Sequence, residues 1–169
     1  EHYRYAGGDE LVVHGHTLLF LAGIGVDAQR QVARDLEDRL EETRTNDIVV
    51  DETPTGVRLT VRSLRFRPDE AVLLPDERER LDSVARALRE VEGRRFLIVG
   101  HTADVGSQES QRLLSAERAR VIASELAKRG VERDRLDIEG RGGTEPVASN
   151  DDEAGRALNR RVEIYIVEE

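Results

Sequence analysis

Four short runs in this chain carry residue types at spacings that chemistry uses. "GHTADVG" at 100–106 gathers His101, Thr102 and Asp104 in a glycine-bounded turn after the strand-like run Phe96–Val99. A histidine there could ligate a metal or act as a base. With no second ligand at helical or strand spacing nearby, we read His101 as ordering the loop by hydrogen bonding. "HGH" puts His14 and His16 on one side of a strand, as a zinc pair requires, but no third ligand is in sight, and a solvated strand face is the reading. "GRGGT" at 140–144 suggests a phosphate cradle, yet it lacks the lysine and following helix of a P-loop, and Glu145-Pro146 points to a turn. In "NRR", strand alternation sends Arg160 and Arg161 to opposite faces, so at most one meets a ligand. Asn159 is expected to tie down the preceding loop through backbone hydrogen bonds. Arg156 is open to either a ligand-binding or a structural role. Ser107 reads as a helix cap, and no base is placed to activate it or Ser115 as a nucleophile. No acid pair stands at a spacing that suggests a general acid and base. These residues favour binding over catalysis, so the chain is expected to be neither an enzyme nor dependent on a cofactor or metal.

Regular elements must hold those residues. "NDIVVDETPTGVRLTVRSLRF" predicts two short strands around a Pro-Thr-Gly turn, with Val57, Leu59 and Val61 alternating against Arg58, Thr60 and Arg62. "LPDERERLDSVARALREVEG" predicts a helix with a capping-box-like start at Asp76 and Glu79, an apolar face of Leu81, Val84, Ala85, Leu88 and Val91, and a stop at Gly93. A strand from Arg95 to Gly100 leads into the His101 loop. A second helix follows from about Gln108 to Arg129, with Ala119, Ile122, Ala123 and Leu126 inward and Gly130 beyond its end. "RLDIEGRG" gives another strand, "TEPVASNDDEAGRALN" an irregular segment with a short helix, and "RRVEIYIV" a closing strand with Val162, Ile164 and Ile166 on one face. The fold class expected is α+β, with the order β-α-β-α-β-β in a mixed sheet that has its helices on one face. Upstream, "ELVVHGHTLLFLAG" reads as a strand. A helix capped by Asp27 runs to about Thr45, with a narrow stripe of Val32, Leu36 and Leu40 and an Asp35–Arg39 pair. Residues 1–46 therefore form a strand and helix extension of unknown role, and residues 47–169 form the main domain.

Composition narrows the partners. Of 169 residues, 36% are charged and 4% aromatic, and the formal net charge is −9. That balance opposes binding to nucleic acid or to anionic lipid, both of which call for clustered cations. Without cysteine there is no disulfide framework and no thiolate metal site. The most apolar run, Leu11 to Val26, is too short and too polar to span a bilayer, so no direct membrane insertion by this chain is expected. Glu1-His2-Tyr3 at the start suggests a processed or trimmed chain.

From about Gly56 to Val167 the chain resembles the OmpA-like domain, the peptidoglycan-associating module of outer-membrane proteins, Pal lipoproteins and flagellar stator proteins. The resemblance rests on "GHT" at 100–102 with Gly106, "LSAERA" at 114–119, "GRGGTEPVASN" at 140–150 and "GRALNRRVEI" at 155–164, with Phe66 to Pro75 fitting the family's entry into its first helix. It implies a non-catalytic module that holds the diamino acid of the peptidoglycan stem peptide. It also implies a periplasmic location, attachment to the outer membrane in the full-length protein as a lipoprotein or membrane-anchored form, and a possible envelope protein partner. In the family an aspartate directly after "GHT" faces the ligand's ammonium group, and the arginine of "LSxxRA" faces a carboxylate. Here that arginine is Arg118, and the implied ligand-binding set is Thr102, Ala103, Asp104, Gly106, Arg118, Arg156 and Asn159.

The departure lies at the aspartate position, which is Ala103, with Asp104 one residue later and Gln111 where an asparagine is usual. Either the loop rotates so that Asp104 meets the ligand, or the ammonium contact is lost. One charge-assisted hydrogen bond contributes ~1.5–3 kcal/mol, so its loss weakens binding roughly 10- to 100-fold. The alternative function is thus an OmpA-like structural or interaction scaffold that has lost peptidoglycan binding. A metal-dependent hydrolase using His101 and Asp104 is the third and weakest reading.

Overall fold

The computed structural model describes residues 2–4, 10–12, 26–41, 48–54, 56–62, 64–67 and 70–168. Strands β1 (His2–Arg4) and β2 (Glu10–Val12) form an antiparallel pair, and helix α1 spans Val26–Glu41. Then come β3 (Ile48–Thr53), β4 (Gly56–Val61), α2 (Arg78–Arg89), β5 (Arg94–His101), α3 (Gln108–Lys128), β6 (Leu136–Gly142), α4 (Glu153–Asn159) and β7 (Val162–Glu168). The main sheet has the order β3-β4-β7-β5-β6, parallel only between β5 and β6. This is the expected α+β class and the expected mixed sheet.

One face of the sheet meets the helices. Val57, Leu59 and Val61 of β4, Phe96 and Ile98 of β5, and Ile164 and Ile166 of β7 share a core with Leu81, Val84 and Leu88 of α2 and Ile122 and Leu126 of α3. The strand residues alternate and the helix residues recur every three or four positions, so each element's period delivers its apolar side chains to one layer. Helix α1 joins the same core through Ala33, Leu36 and Leu40, with Val32 only partly buried. The Val32–Leu36–Leu40 stripe is thus the side α1 turns to the core, widened by Ala33. Asp27 lies inside its first turn rather than before it. Arg39 pairs with Glu90 at 3.0 Å, while Asp35 accepts from Gln31.

One other expectation changes. The Asp76–Glu79 capping box is not formed: α2 begins at Arg78 behind a short 3-10 turn, Pro75–Glu77, with no side-chain cap. Glu77 is instead buried, taken by Arg65 at 2.6 Å and Arg80 at 3.1 Å. Strand β7 carries Val162, Ile164 and Ile166 into the core as expected, and it lies between β4 and β5 with its other face buried as well. Glu163, Tyr165 and Val167, on the face away from the helices, are buried along with Leu97 and Val99.

Helix α3 carries the residues of most interest, and glycine lets it lie almost on the strands. A Cβ on Gly100 of β5 would stand 2.1 Å from the Ser115 carbonyl oxygen, and one on Gly140 of β6 would stand 2.4 Å from the Ala116 nitrogen. Ser115 completes the join: its Oγ donates to the Arg112 carbonyl at 2.8 Å and accepts from the Gly142 N–H at 2.9 Å.

Candidate functional site

The β5–α3 connection, the first half of α3, the segment after β4 and helix α4 enclose a groove of about 990 Å³. Thr102, Ala103 and Gly106 form one wall, Arg118 and Leu114 the α3 side, and Leu64 and Phe66 the side opposite. A slot beneath it, between Phe66, His101 and Arg161, has room for about one water.

The β5–α3 loop is clamped from below. Gln111, 4% exposed, donates its amide to the Asp104 carboxylate and the Gly106 carbonyl, both at 3.0 Å, and accepts from the Gly143 N–H at 3.1 Å. The Asp104 N–H donates to Asn150 Oδ1 at 3.3 Å, and the Thr102 N–H to the Gly142 carbonyl at 2.9 Å. Ser107 caps α3, its Oγ accepting from the Ser110 N–H at 3.1 Å. The loop geometry follows from these bonds: Ala103 is 6% exposed and lines the groove, whereas Asp104 is exposed, bonded to Gln111, and not among the lining residues. Neighbouring side chains on an extended backbone point to opposite sides, and this pair does so.

The remaining expected residues sort by position. Arg118 is half-buried in the groove, its Nε donating to the Glu70 carbonyl at 3.3 Å and its guanidinium 5.0 Å from the Phe66 ring centroid. Arg156 lines the far side, donating to the Asn150 carbonyl at 2.8 Å and to Glu153 at 3.2 Å. Asn159 is fully buried and does not line the groove: its Oδ1 accepts from the Val147 and Ala148 N–H groups, and its Nδ2 donates to the Ala148 carbonyl and to Asn150. It holds the loop. The two arginines of "NRR" diverge, with Arg160 at the groove and Arg161 buried. Thr102 Oγ1 is buried with no hydrogen-bond partner. His14 and His16, and the second "GHT" at 15–17, lie outside the described residues.

The His101 imidazole is enclosed, its Nε2 3.3 Å from Glu163 Oε2, though without the alignment of a hydrogen bond. Glu163 also accepts from Arg161 at 2.8 Å and from the Tyr165 hydroxyl at 2.7 Å. Burial alone would raise the Glu163 carboxyl, but His101, Arg161 and Tyr165 outweigh it and hold the group well below the ordinary carboxylate range. The same carboxylate and burial push the Tyr165 hydroxyl up. His101 lines the slot and Asp104 lines neither the slot nor the groove, and among the described residues no cluster of three or more His, Asp or Glu is placed to hold a metal ion. No helix among the described residues is long and apolar enough to cross a membrane.

Sequence reasoning gave Gln111 and Ser115 no structural role and passed over Glu163. The first two continue the α3 stripe back from Ala119 in steps of four, a signal hidden because neither residue is apolar. Arg65 and Arg80 were likewise not singled out, although both line the groove, as does Arg160 of the "NRR" pair.

Residues 65–160 match the OmpA family. Among curated proteins, the peptidoglycan-binding protein ArfA of Mycobacterium bovis is 41% identical over 103 residues, covering 61% of this chain and 32% of that protein. Among solved structures, the cell wall anchor of the T6SS from Pseudomonas aeruginosa superposes with a TM-score of 0.66 at 31% identity, covering 82% of this chain and 97% of that one. A MotB-like protein from Desulfovibrio vulgaris superposes with a TM-score of 0.76 at 25% identity, covering 85% and 93%. The chain spans a third to about half of the length of the first curated relatives it matches.

Proposed function

The chain belongs to the OmpA family, and from that premise we propose that it is a non-catalytic module that associates with peptidoglycan in the periplasm, on a protein attached to the outer membrane. Residues 47–169 are the recognition domain, and residues 1–46 an extension. The stem peptide lies in the groove, a carboxylate against Arg118, with Thr102 and Gly106 orienting it and Arg156 closing the far side. Asn159 acts at one remove by shaping the loop, and Ala103 stands where the family carries its ammonium-binding acid. Support comes from a relative named for peptidoglycan binding and a structural neighbour named a cell wall anchor.

The observation that carries the reading is the shared wall of Arg118, Thr102 and Ala103 around one open groove. A planar guanidinium suits a carboxylate because its fork offers two parallel donors. The test is recovery of the purified chain on isolated sacculi, beside Arg118→Ala with its fold checked by circular dichroism. The variant is expected to fall roughly 10-fold or more below the parent. Equal recovery would remove Arg118 from the site. The place of Ala103 in the wall favours a second reading, a scaffold without wall affinity. It predicts no recovery of the parent and a gain with Ala103→Asp.

A further inference from the structure

Among the described residues, five arginines line the groove, Arg65, Arg80, Arg118, Arg156 and Arg160, against a single carboxylate, Glu153. Glu153 is engaged by both Arg156 and Arg160, which hold its carboxyl below the usual range, and so it offers little to an incoming cation. Arg65 and Arg80 share Glu77, which is buried, and Arg65 also meets Asp76 at 3.5 Å; neither acid lines the groove, and the five arginines still outnumber Glu153, Glu77 and Asp76. The groove is thus a cationic recess in a chain of net charge −9. Between these charges the wall is apolar at Ala103 and Leu114.

We propose that this groove selects a carboxylate flanked by an uncharged amide and a small apolar group, as at the C-terminus of a peptide, over a zwitterion whose ammonium sits beside its carboxylate. The inference rests on the groove being the binding site assigned above, and it names the chemistry that site takes. A carboxylate is met by the arginines. An uncharged amide beside that carboxylate asks for no counter-charge, and a small side chain fits against the Ala103 methyl. An ammonium at the same place finds guanidinium groups and a methyl, so it loses water without gaining a counter-charge.

The test uses two soluble probes, N-acetylalanine and free zwitterionic alanine, titrated into the chain with binding read by calorimetry and by shifts of groove backbone resonances. N-acetylalanine is expected to bind at least about tenfold tighter than alanine, the scale of one charge-assisted contact. N-acetylalaninamide, without the carboxylate, is expected to bind no better than alanine. In Ala103→Asp the preference should narrow or reverse, although the parent's own preference decides the matter if that variant folds poorly. Equal or tighter binding of alanine by the parent overturns the inference, as does the absence of binding by both probes. Sacculus recovery separates this from the reading it rests on. A parent that prefers N-acetylalanine but is not recovered on sacculi keeps the groove chemistry and loses the wall. A parent recovered through Arg118 that prefers the zwitterion keeps the wall and loses the chemistry.

Discussion

Glu163 is a charged residue near the start of a central strand, 2% exposed, and its neighbours explain how that is tolerated. Arg161, the Tyr165 hydroxyl and His101 surround its two oxygens, so the carboxylate keeps partners that replace lost water. Arg161 in turn donates to the Glu145 carbonyl at 3.1 Å, which ties the strand to the loop that follows β6. Because the carboxyl is held well below its ordinary value of 4.5, its contribution to stability is fully present above that value and is lost as pH falls below it. Glu163→Gln is expected to cost about 3–5 kcal/mol at neutral pH, the scale of breaking a buried pair from one side. Urea denaturation from pH 7 down to pH 3 checks this. The gap between parent and variant should shrink as the acid range is entered, and a gap independent of pH would mean that the charge contributes nothing. None of this was visible beforehand, since Arg161, Glu163 and Tyr165 alternate with apolar residues as a solvated strand face would. What the alternation cannot reveal is that β7 lies between β4 and β5 and is covered twice.

At the scale of elements, the groove depends on how closely α3 approaches the sheet. The buried stripe of α3 contains Gln111, Ser115 and Ala119 before it reaches Ile122 and Leu126, so its first half meets the strands through small or polar side chains. Small residues on the helix and glycines on β5 and β6 bring the backbones together and set the height of Arg118 over the groove. Gly140→Ala would put a methyl 2.4 Å from the Ala116 nitrogen and 2.6 Å from the Arg112 carbonyl oxygen, both backbone atoms that move only if the helix lifts. A cost of about 1–3 kcal/mol is expected, the scale of overpacking, along with a loss of sacculus binding out of proportion to any loss of fold. A lower denaturation midpoint with undiminished recovery would separate the docking of α3 from the site. The strands and the long helices were legible because periodicity reports which face is buried. The α3 stop at Gly130 and the Ser107 cap were legible from end chemistry. The start of α2 was not, because a capping box is a local rule, and the turn there is organised instead by Glu77, which Arg65 from before the helix and Arg80 within it share.

For the molecule as a whole, the open question is whether α1 is an appendage or part of the folding unit. Sequence reasoning placed a boundary near residue 46, and it had reason to, because the motifs that carry the resemblance all begin later. Packing gives a different measure of unity. Leu36 is fully buried and Leu40 nearly so, in one core with Leu59 of β4 and Leu81 of α2, and Arg39 reaches Glu90 just beyond the end of α2. Truncating a buried leucine removes its transfer free energy and leaves a cavity, a loss of about 2–5 kcal/mol when the surroundings cannot collapse. If α1 folds with the rest, Leu36→Ala takes that amount from the main cooperative transition, and fluorescence and circular dichroism report the same lowered midpoint. If α1 is separable, the main transition stays where it is and only a helical fraction is lost beforehand. We expect the first outcome, because Leu36 touches the same layer as the strands that frame the groove, so that the extension and the recognition domain would stand or fall together.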